Sequence, residues 1–229
     1  PEIRSRLAAQ EIKVNKRDDL FAATPPLEAK KWLFSFAVTE GIGYVRGRRL
    51  EGMKIDFIDI RWAYFHALAR RKIYVRLCRE DYEQGMCGKL QKAMYGTRDA
   101  AQNWEYEYVE FMLSIGFLAG RVSPCVFCNK ERNIRVVVHG DDFIFSGTSE
   151  SLAWVTERMH ESFLVKVVGQ LGGDPGDSQE VRVLNRVLRW TPEGITYEAD
   201  PRHVEMLVAD FPPTGGVVKT AGVKGLVQE

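Results

Sequence analysis

The sequence predicts an α+β fold in which helices pack on one face of an antiparallel sheet. Three stretches repeat apolar residues with helical spacing, and segments between and after them alternate apolar and polar residues as strands do. The predicted order is a helix, a strand, a helix, two strands joined by a tight turn, a helix and further strands. This succession is typical of an α+β domain.

The first helix is predicted to begin after Thr24, a suitable N-cap, with Pro25 as its first residue. Apolar residues then recur with helical spacing between Ala29 and Ala37, and Gly41 can end the helix. Residues 54–60 follow, where apolar and acidic residues alternate. This stretch predicts the first strand of the sheet.

The remaining elements are predicted by the same two periodicities. The second helix is predicted from about Ala100 to Ile115, and a third begins near Ser149. Residues 181–190 alternate apolar and polar side chains and predict one strand. The segment from Phe211 onward is rich in Pro and Gly and predicts a linker or a frayed tail.

The tripeptide Gly140-Asp141-Asp142 lies between two apolar runs, 134–139 and 143–147. Both runs are typical of short strands and Gly-Asp is a strong turn signal, so a β-hairpin with two carboxylates at its tip is predicted. Asp is also common in ordinary turns because its side chain bonds the local backbone. A third carboxylate, Asp59, ends the strand at 54–60, far enough along the chain for that strand to lie beside the hairpin.

These three carboxylates together indicate a metal site. Like charges side by side are unfavourable unless a cation neutralises them. Mg²⁺ prefers hard oxygen ligands such as carboxylates. Asp59, Asp141 and Asp142 therefore predict a platform for two Mg²⁺ ions, with Mn²⁺ as the substitute, of the kind on which nucleotide polymerases work.

Three blocks of the chain occur in a family's characteristic order. Asp59 to Phe65 matches D-V-K-T-A-F-L, Met94 to Trp104 matches L-Y-G-L-K-Q-A-P-R-x-W, and His139 to Asp142 matches the Y-V-D-D hairpin. In these blocks the chain resembles the reverse transcriptase domain of copia-type LTR retrotransposons. The resemblance implies an RNA-directed DNA polymerase of palm-and-fingers architecture, taken from a Pol polyprotein.

The resemblance also implies roles for individual residues. Asp59 and Asp141 are expected to bind metal together with the backbone carbonyl of Ile60, and Asp142 is expected to support them. Tyr64 is expected to lie under the sugar of the incoming nucleotide and to exclude a 2′-hydroxyl by its bulk.

Three further residues are implied to contact the nucleotide. Gly96 would let the chain pass close to the nucleotide or template because it lacks a Cβ, although a simple turn before the next helix explains it equally well. Arg4 and Arg6 would clamp the triphosphate. The domains implied are a fingers-like basic segment at 1–50, a palm with the carboxylates at 51–170, and a distal palm leading to an incomplete thumb at 171–229, with a tail at 211–229.

Departures from the family pattern leave other functions open. His139-Gly140 stands where Tyr-Val is usual, and Asp99-Ala100-Ala101 stands where Gln-Ala-Pro is usual. The departures keep the carboxylates but change the surroundings of primer and template, so an inactive remnant that binds nucleic acid is one alternative. RNA-dependent RNA polymerases also use Gly-Asp-Asp hairpins, although Tyr64 favours deoxynucleotides. A two-metal nuclease shares the carboxylates but has no role for block 94–104.

Charge is unevenly spread along the 229 residues, whose formal net charge is +1. Residues 1–76 hold 16 Lys and Arg against 9 Asp and Glu, a balance of +7, and the remainder balances at −6. A basic part beside an acidic part suits a polyanion with metal, although chance surface charge gives the same pattern. The densest basic cluster, Arg46, Arg48 and Arg49, is predicted to contact nucleic acid or to be an exposed loop.

The predicted partners follow from composition and from the resemblance. No apolar run approaches the length of a membrane span, so no membrane partner is expected. The resemblance implies an RNA or DNA template with its primer, and dNTPs, with integrase and RNase H regions of the polyprotein outside this segment. It implies an intracellular location, either cytoplasmic in a virus-like particle or nuclear.

Overall fold

The structure is a computed structural model that describes residues 7–12, 15, 19–39, 41–42 and 52–212. These ranges contain both helices and strands, and several strands follow one another without a helix between them. In chain order they are α1 (Leu27–Val38), β1 (Lys54–Ile60), α2 (Ala63–His66), β2 (Tyr74–Val75), β3 (Gly88–Lys89), α3 (Ala100–Ser114), β4 (Leu118–Ala119), β5 (Val126–Asn129), β6 (Ile134–His139), β7 (Asp142–Gly147), α4 (Ser149–Ser162), β8 (Val165–Leu171), β9 (Glu180–Val183), β10 (Arg186–Thr191), β11 (Gly194–Ala199) and α5 (Arg202–Asp210).

The largest sheet has six strands in the order β4-β5-β6-β7-β1-β8, and all its neighbouring strands are antiparallel. β1 therefore lies between β7 and β8, although many residues separate it from both in the chain. β9, β10 and β11 form a second antiparallel sheet, and β2 pairs with β3 as a separate hairpin. Antiparallel sheets combined with helices confirm the predicted α+β class.

Helices α3 and α4 cover one face of the six-stranded sheet and bury a large apolar cluster against it. Each large side chain that is fully buried stabilises the fold by about 1.5–3 kcal/mol. From the helices come Trp104, Tyr108, Met112, Leu152, Val155 and Met159, and from the strands Ile58, Ile60, Val136, Val138, Phe143 and Phe145. The spacing of the helical residues is the one from which both helices were predicted.

Helix α1 packs on the opposite face, so the prediction that helices cover only one face is wrong. Leu33, Phe34 and Ala37 of α1 meet Ile55 and Phe57 of β1 there, and the sheet of β9–β11 completes the cover. Successive side chains of a strand point to opposite faces, and β1, β6 and β7 are apolar on both. A strand that is buried on both faces needs cover on both sides.

The predicted positions of α3 and α4 agree with the structure, whereas α1 differs at both ends, since it ends at Val38 and not at Gly41. α3 and α4 lie where they were predicted, and the Thr148 side chain caps α4 by accepting a hydrogen bond from Ser151 N–H. α1 begins at Leu27 instead of Pro25, and Pro26 stands at its N-cap with ψ 154°. A residue that precedes proline is disfavoured in the helical region, so Pro26 keeps Pro25 out of the helix.

The single strand predicted at 181–190 is in fact two strands, β9 and β10, joined by a tight turn. Leu184 and Asn185 form that turn with φ of 50° and 57°. Asn tolerates this left-handed conformation better than most residues, so Asn185 is a local signal for a turn. The alternation of apolar residues on both sides of Asn185 led to the prediction of one continuous strand.

In the described ranges, no helix is both long and apolar enough to cross a bilayer. Phe211 and Pro212 follow α5, and the rest of the predicted tail lies outside the described residues. The boundaries of fingers, palm and distal segment stay predictions.

Candidate active site

Three carboxylates meet where β1 ends beside the β6–β7 turn. Asp59 of β1 is the direct cross-strand partner of Asp142 of β7. Asp141 lies in the turn, and its carbonyl accepts a hydrogen bond from Ile60 N–H at 2.9 Å. Residues 82 positions apart in the chain are thus brought together, as the sequence predicted they would have to be for a metal platform.

The carboxylates repel one another, and two of them have shifted pKa values. Burial raises the pKa of Asp59, and the neighbouring Asp141 charge raises it further. Burial also raises the pKa of Asp142, to about 6, with further contributions from Asp141 and Asp59. Negative charge is therefore concentrated in a partly buried place, where Lys30, Lys166 and Arg61 offset part of it, and such an environment favours a bound metal cation.

The turn that carries Asp141 is a two-residue hairpin loop. His139 pairs with Asp142, which leaves Gly140 and Asp141 as the loop, and Gly140 has a φ of 67°. Glycine at the first loop position with positive φ is the requirement of a type II′ turn, whose twist matches that of the strands. Trp104 of α3 donates its indole N–H to the Gly140 carbonyl at 2.9 Å and so ties the turn to the core.

Two lysines that sequence reasoning missed lie beside the carboxylates. Lys30 of α1 is only 7% exposed, and its Nζ is 2.8 Å from His139 Nδ1. Burial lowers the pKa of Lys30, and the Asp142 charge opposes that effect. Lys166 of β8 is the cross-strand partner of Asp59, and its positive charge opposes the rise in the pKa of that carboxyl. Lys30 precedes Leu33 by three residues, so helical spacing already placed it on the inward face.

Tyr64 lies in α2, the short helix that follows the Asp59 end of β1, and the pKa of its hydroxyl is raised. Burial is the larger cause of that rise and the Asp141 charge is the second. The Tyr64 ring packs on Tyr95 at a centroid distance of 4.4 Å, and Phe65 meets the same ring edge-on. Trp62, just before α2, is exposed and has a φ of 55°. The structure therefore places Tyr64 beside the site, while its role in sugar selection stays a prediction.

Gly96 does allow a close approach, but its neighbour in the structure is the chain itself. A Cβ at Gly96 would overlap the Ala9 carbonyl oxygen, and φ at Gly96 is +89°. Ala9 N–H donates to the Tyr95 carbonyl at 2.7 Å, and Glu11 N–H donates to the Gly96 carbonyl. A contact of Gly96 with a nucleotide stays a prediction. Arg4, Arg6, Arg46, Arg48 and Arg49 lie outside the described residues.

Asp99, which stands where the family usually has Gln, has hydrogen-bond partners in the structure. Arg71 donates hydrogen bonds to both Asp99 and Glu11, and Asn103 donates to Asp99 at 3.1 Å. Burial is the largest single effect and raises the pKa of Asp99, but the hydrogen bonds and charge of Arg71 together with the bond from Asn103 outweigh it, so the net shift of the pKa is downward. Asp99 thus joins the segment at 7–12 to the start of α3.

Within the described ranges, no three or more His, Cys, Asp or Glu side chains are arranged to hold a metal by themselves. Mg²⁺ in nucleotide-handling sites is commonly bound by only one or two carboxylates, and substrate phosphates and water complete its shell. Asp59 and Asp141 are the carboxylates that fit this pattern, with hard oxygen donors next to unneutralised charge.

Comparisons with known proteins identify the family. The family model described as "Reverse transcriptase (RNA-dependent DNA polymerase)" matches residues 12–173, which is most of the chain. The chain belongs to the reverse transcriptase family. All three carboxylates of this reverse transcriptase domain lie inside the matched segment, and so do Tyr64 and Gly96.

The relatives extend this finding. The domain is 27% identical over 125 residues to a retrovirus-related Pol polyprotein from transposon TNT 1-94 of Nicotiana tabacum. The match covers 51% of this chain and 9% of the length of that polyprotein. This match and the family model confirm the resemblance to copia-type reverse transcriptases. Among solved structures, apo telomerase from Candida tropicalis, truncated from its C-terminal domain, matches with a TM-score of 0.47 and 10% identity, over 77% of this chain and 41% of that one.

Proposed function

We propose that this reverse transcriptase domain is the RNA-directed DNA polymerase of a retrotransposon Pol polyprotein and transfers nucleotides from dNTPs to a primer 3′-hydroxyl. The observation that carries the proposal is the pairing of Asp59 with Asp142, with Asp141 in the adjoining turn. These carboxylates converge inside the segment that the family model matches. Family membership favours this function over an RNA-dependent RNA polymerase and over a two-metal nuclease.

Asp59, Asp141 and the backbone carbonyl of Ile60 would hold two Mg²⁺ ions, or Mn²⁺ in their place. The donor set fits, because it consists of oxygen atoms whose mutual repulsion is only partly offset by nearby lysines. When bound, the ions supply Lewis acidity, which lowers the pKa of the attacking hydroxyl and stabilises charge on the phosphates. Asp142 supports this set from the α1 side, where Lys30 and His139 lie.

The contribution of the chain itself is position. β1 and β7 hold the carboxylates in register, and the bond from Trp104 to Gly140 fixes the turn between β6 and β7. Phosphoryl transfer depends mainly on such positioning and on preorganised charge. Tyr64, packed on Tyr95, would stand under the nucleotide sugar and exclude a 2′-hydroxyl by occupying its volume.

We also propose a palm-and-fingers arrangement for the domain. The six-stranded sheet would be the palm, within 51–170, and the segment at 7–12 that lies on Tyr95 and Gly96 would belong to fingers at 1–50. Residues 171–229 would lead toward the thumb. Arg4 and Arg6 would contact the triphosphate, and the cluster Arg46, Arg48 and Arg49 would contact the template or primer.

Two of the residues that depart from the family pattern have polar partners in the structure. His139 lies within hydrogen-bond distance of Lys30, and Asp99 accepts a hydrogen bond from Arg71. These contacts concern the fold and not catalysis, so primer extension decides between an active polymerase and an inactive remnant.

Primer extension tests the proposal directly. The 229-residue chain is incubated with a DNA primer on an RNA template, dNTPs and Mg²⁺, beside an Asp59→Asn variant. Extension by the parental chain alone is expected. Salt-sensitive binding without extension would establish the remnant, degradation without incorporation would establish the nuclease, and extension only with ribonucleotides would establish the RNA polymerase.

A further inference from the structure

The β2–β3 hairpin carries opposite chemistry on its two faces. Along residues 71–78 exposure alternates strictly, and Lys72, Tyr74 and Arg76 are exposed while the residues between them are partly buried. β2 pairs with β3 through Tyr74 with Lys89 and Val75 with Gly88. Leu90 N–H adds a bond to the Ile73 carbonyl at 3.0 Å, which extends the ladder. The hairpin is therefore an ordered ribbon with one solvated face.

That solvated face is strongly basic around a single aromatic ring. Lys89 is directly opposite Tyr74, so both side chains lie on the same face with Lys72 and Arg76. We call these four residues the basic face. Tyr74 is 58% exposed, and none of the three cations has an ion-pair partner in the part of the chain that the structure describes. The nearby acidic residues, Glu80, Asp81 and Glu83, belong to the connecting tip between the strands.

The hairpin is attached to the helix that positions the nucleotide site. Ala69 N–H donates to the Gln91 carbonyl at 3.0 Å, and Ala93 N–H donates to the Ala67 carbonyl at 2.9 Å. Lys92 Nζ donates to the carbonyl of His66, the last residue of α2, at 2.6 Å. α2 also carries Tyr64 and follows directly on Asp59 and Ile60 at the end of β1. These bonds tie the base of the β2–β3 hairpin to α2, next to the end of β1 that carries Asp59.

We propose that the basic face binds an unpaired nucleic-acid strand next to the polymerase site. Three cations match the phosphates of a strand, and an exposed ring offers a surface on which a base stacks. A base inside a duplex has both its faces covered, so the ring selects for an unpaired segment. The basic face consists of residues other than Arg46, Arg48 and Arg49, and the proposal rests on the proposed function only for the nature of the partner.

The test measures binding of the 229-residue chain to a fluorescein-labelled single-stranded RNA by fluorescence anisotropy over a range of salt concentrations. A single-stranded DNA and an RNA duplex of the same length serve as comparison probes. The double variant Arg76→Ala with Lys89→Ala is expected to make the slope of log K against log salt shallower by about 1.4, because each single-strand phosphate contact contributes about 0.7. The matched control, Arg121→Ala with Lys130→Ala, removes two exposed cations elsewhere and should keep the parental slope.

The tyrosine is tested separately from the charges. Tyr74→Ala should weaken single-strand binding at least about fivefold with an unchanged salt slope, since loss of a base stack costs about 1–3 kcal/mol. Tyr74→Phe keeps the ring and should bind like the parental chain. Thermal unfolding of every variant should match that of the parental chain, because all the changed side chains are exposed.

Several results would overturn the proposal. One is an unchanged slope in the Arg76 and Lys89 variant, and another is an equal loss in the control. A third is Tyr74→Ala binding as tightly as Tyr74→Phe, and a preference for the duplex probe is a fourth. Primer extension run in parallel separates this proposal from the polymerase function. A chain that shows the predicted binding effects but extends no primer contradicts only the polymerase, and one that extends primers with unaltered binding in all variants contradicts only the basic face.

Discussion

The two faces of the six-stranded sheet differ most at the end where β1, β6 and β7 reach the turn. Toward α3 and α4 the strands stay apolar to that end, with Ile60, Val138 and Phe143. Toward α1 the same strands change from apolar side chains to Asp59, His139 and Asp142. One set of strands thus builds the core on one face and the site on the other. Substitutions on the core face should cost stability, and those at the site should cost activity.

The largest expected effect is on activity at Asp141. Asp141→Asn keeps the size of an exposed turn residue but removes its negative charge, so folding should be unchanged and synthesis should fall at least about 10⁴-fold, equivalent to about 5.4 kcal/mol in activation free energy. Single-turnover primer extension measures the loss. Glu131→Gln, in the turn at the other end of β6, is the matched control and should keep parental activity. Extension by Asp141→Asn at the parental rate would contradict the assignment.

The next largest effect is on stability at Phe143, whose side chain is fully buried on the core face. Phe143→Ala should lower the free energy of unfolding by about 3–5 kcal/mol, because it removes a large apolar side chain and leaves a cavity. Urea unfolding measures the change. Phe21→Ala is the control, since Phe21 is 69% exposed, and it should stay within about 0.5 kcal/mol of the parental chain. Equal losses in both variants would deny the contrast between buried and exposed positions.

Sequence patterns predicted the apolar parts of this architecture well and its polar contacts poorly. The spacing of Trp104 and Tyr108 predicted a buried helix, because burial repeats along one element. The contact of Lys30 with His139 depends instead on how α1 crosses the sheet, which no local pattern encodes. Helices were expected on a single face of the sheet for the same reason. The packing of α1 on β1 depends on tertiary contacts, which local sequence patterns do not show.

At the site itself, what could be predicted was the identity of the carboxylates. A Gly-Asp turn between two strands is a local signal, and Asp141 and Asp142 follow from it. The sequence led us to expect the Asp59 strand beside the hairpin, but the pairing of Asp59 with Asp142 follows from the register of β1 and β7, which the sequence does not give. Lys166 went unnoticed because its place beside Asp59 is fixed by the pairing of β8 with β1.

The pH dependence of stability at Asp142 tests the contrast between the core face and the site face of the sheet. The pKa of Asp142 in the fold is about 6, against an ordinary value of 3.8. Without metal, Asp142 ionises in the unfolded chain from about pH 4, while in the folded chain it keeps its proton until about pH 6. The free energy of unfolding of the parental chain therefore decreases as the pH rises from about 4 to beyond about 6. Asp142→Asn should remove that loss. In EDTA it should be more stable than the parental chain by about 1–3 kcal/mol at pH 7, and the difference should vanish near pH 4.

The control for this measurement is a carboxyl whose pKa moves the other way. The pKa of Asp99 is lowered in the fold, so its ionised form stabilises the protein above the unfolded pKa and that contribution disappears as the pH falls. Asp99→Asn should therefore lose stability at pH 7 and approach the parental chain in acid. Unfolding curves from pH 3 to pH 8 should show the two variants diverging with opposite signs, and parallel curves would refute the pKa directions.

The smallest expected effect is on selectivity at Tyr64, which lies at the border between core and site. Its ring is half buried against Tyr95, and the Asp141 charge adds to the effect of burial in raising the pKa of its hydroxyl. Tyr64→Ala should raise the incorporation of ribonucleotides relative to deoxynucleotides by about tenfold, equivalent to about 1.4 kcal/mol, because the space for a 2′-hydroxyl opens. Competition between dNTP and rNTP in primer extension measures the ratio. Tyr64→Phe keeps the ring and should keep the parental ratio, whereas equal selectivity in all three chains would make Tyr64 a core residue alone.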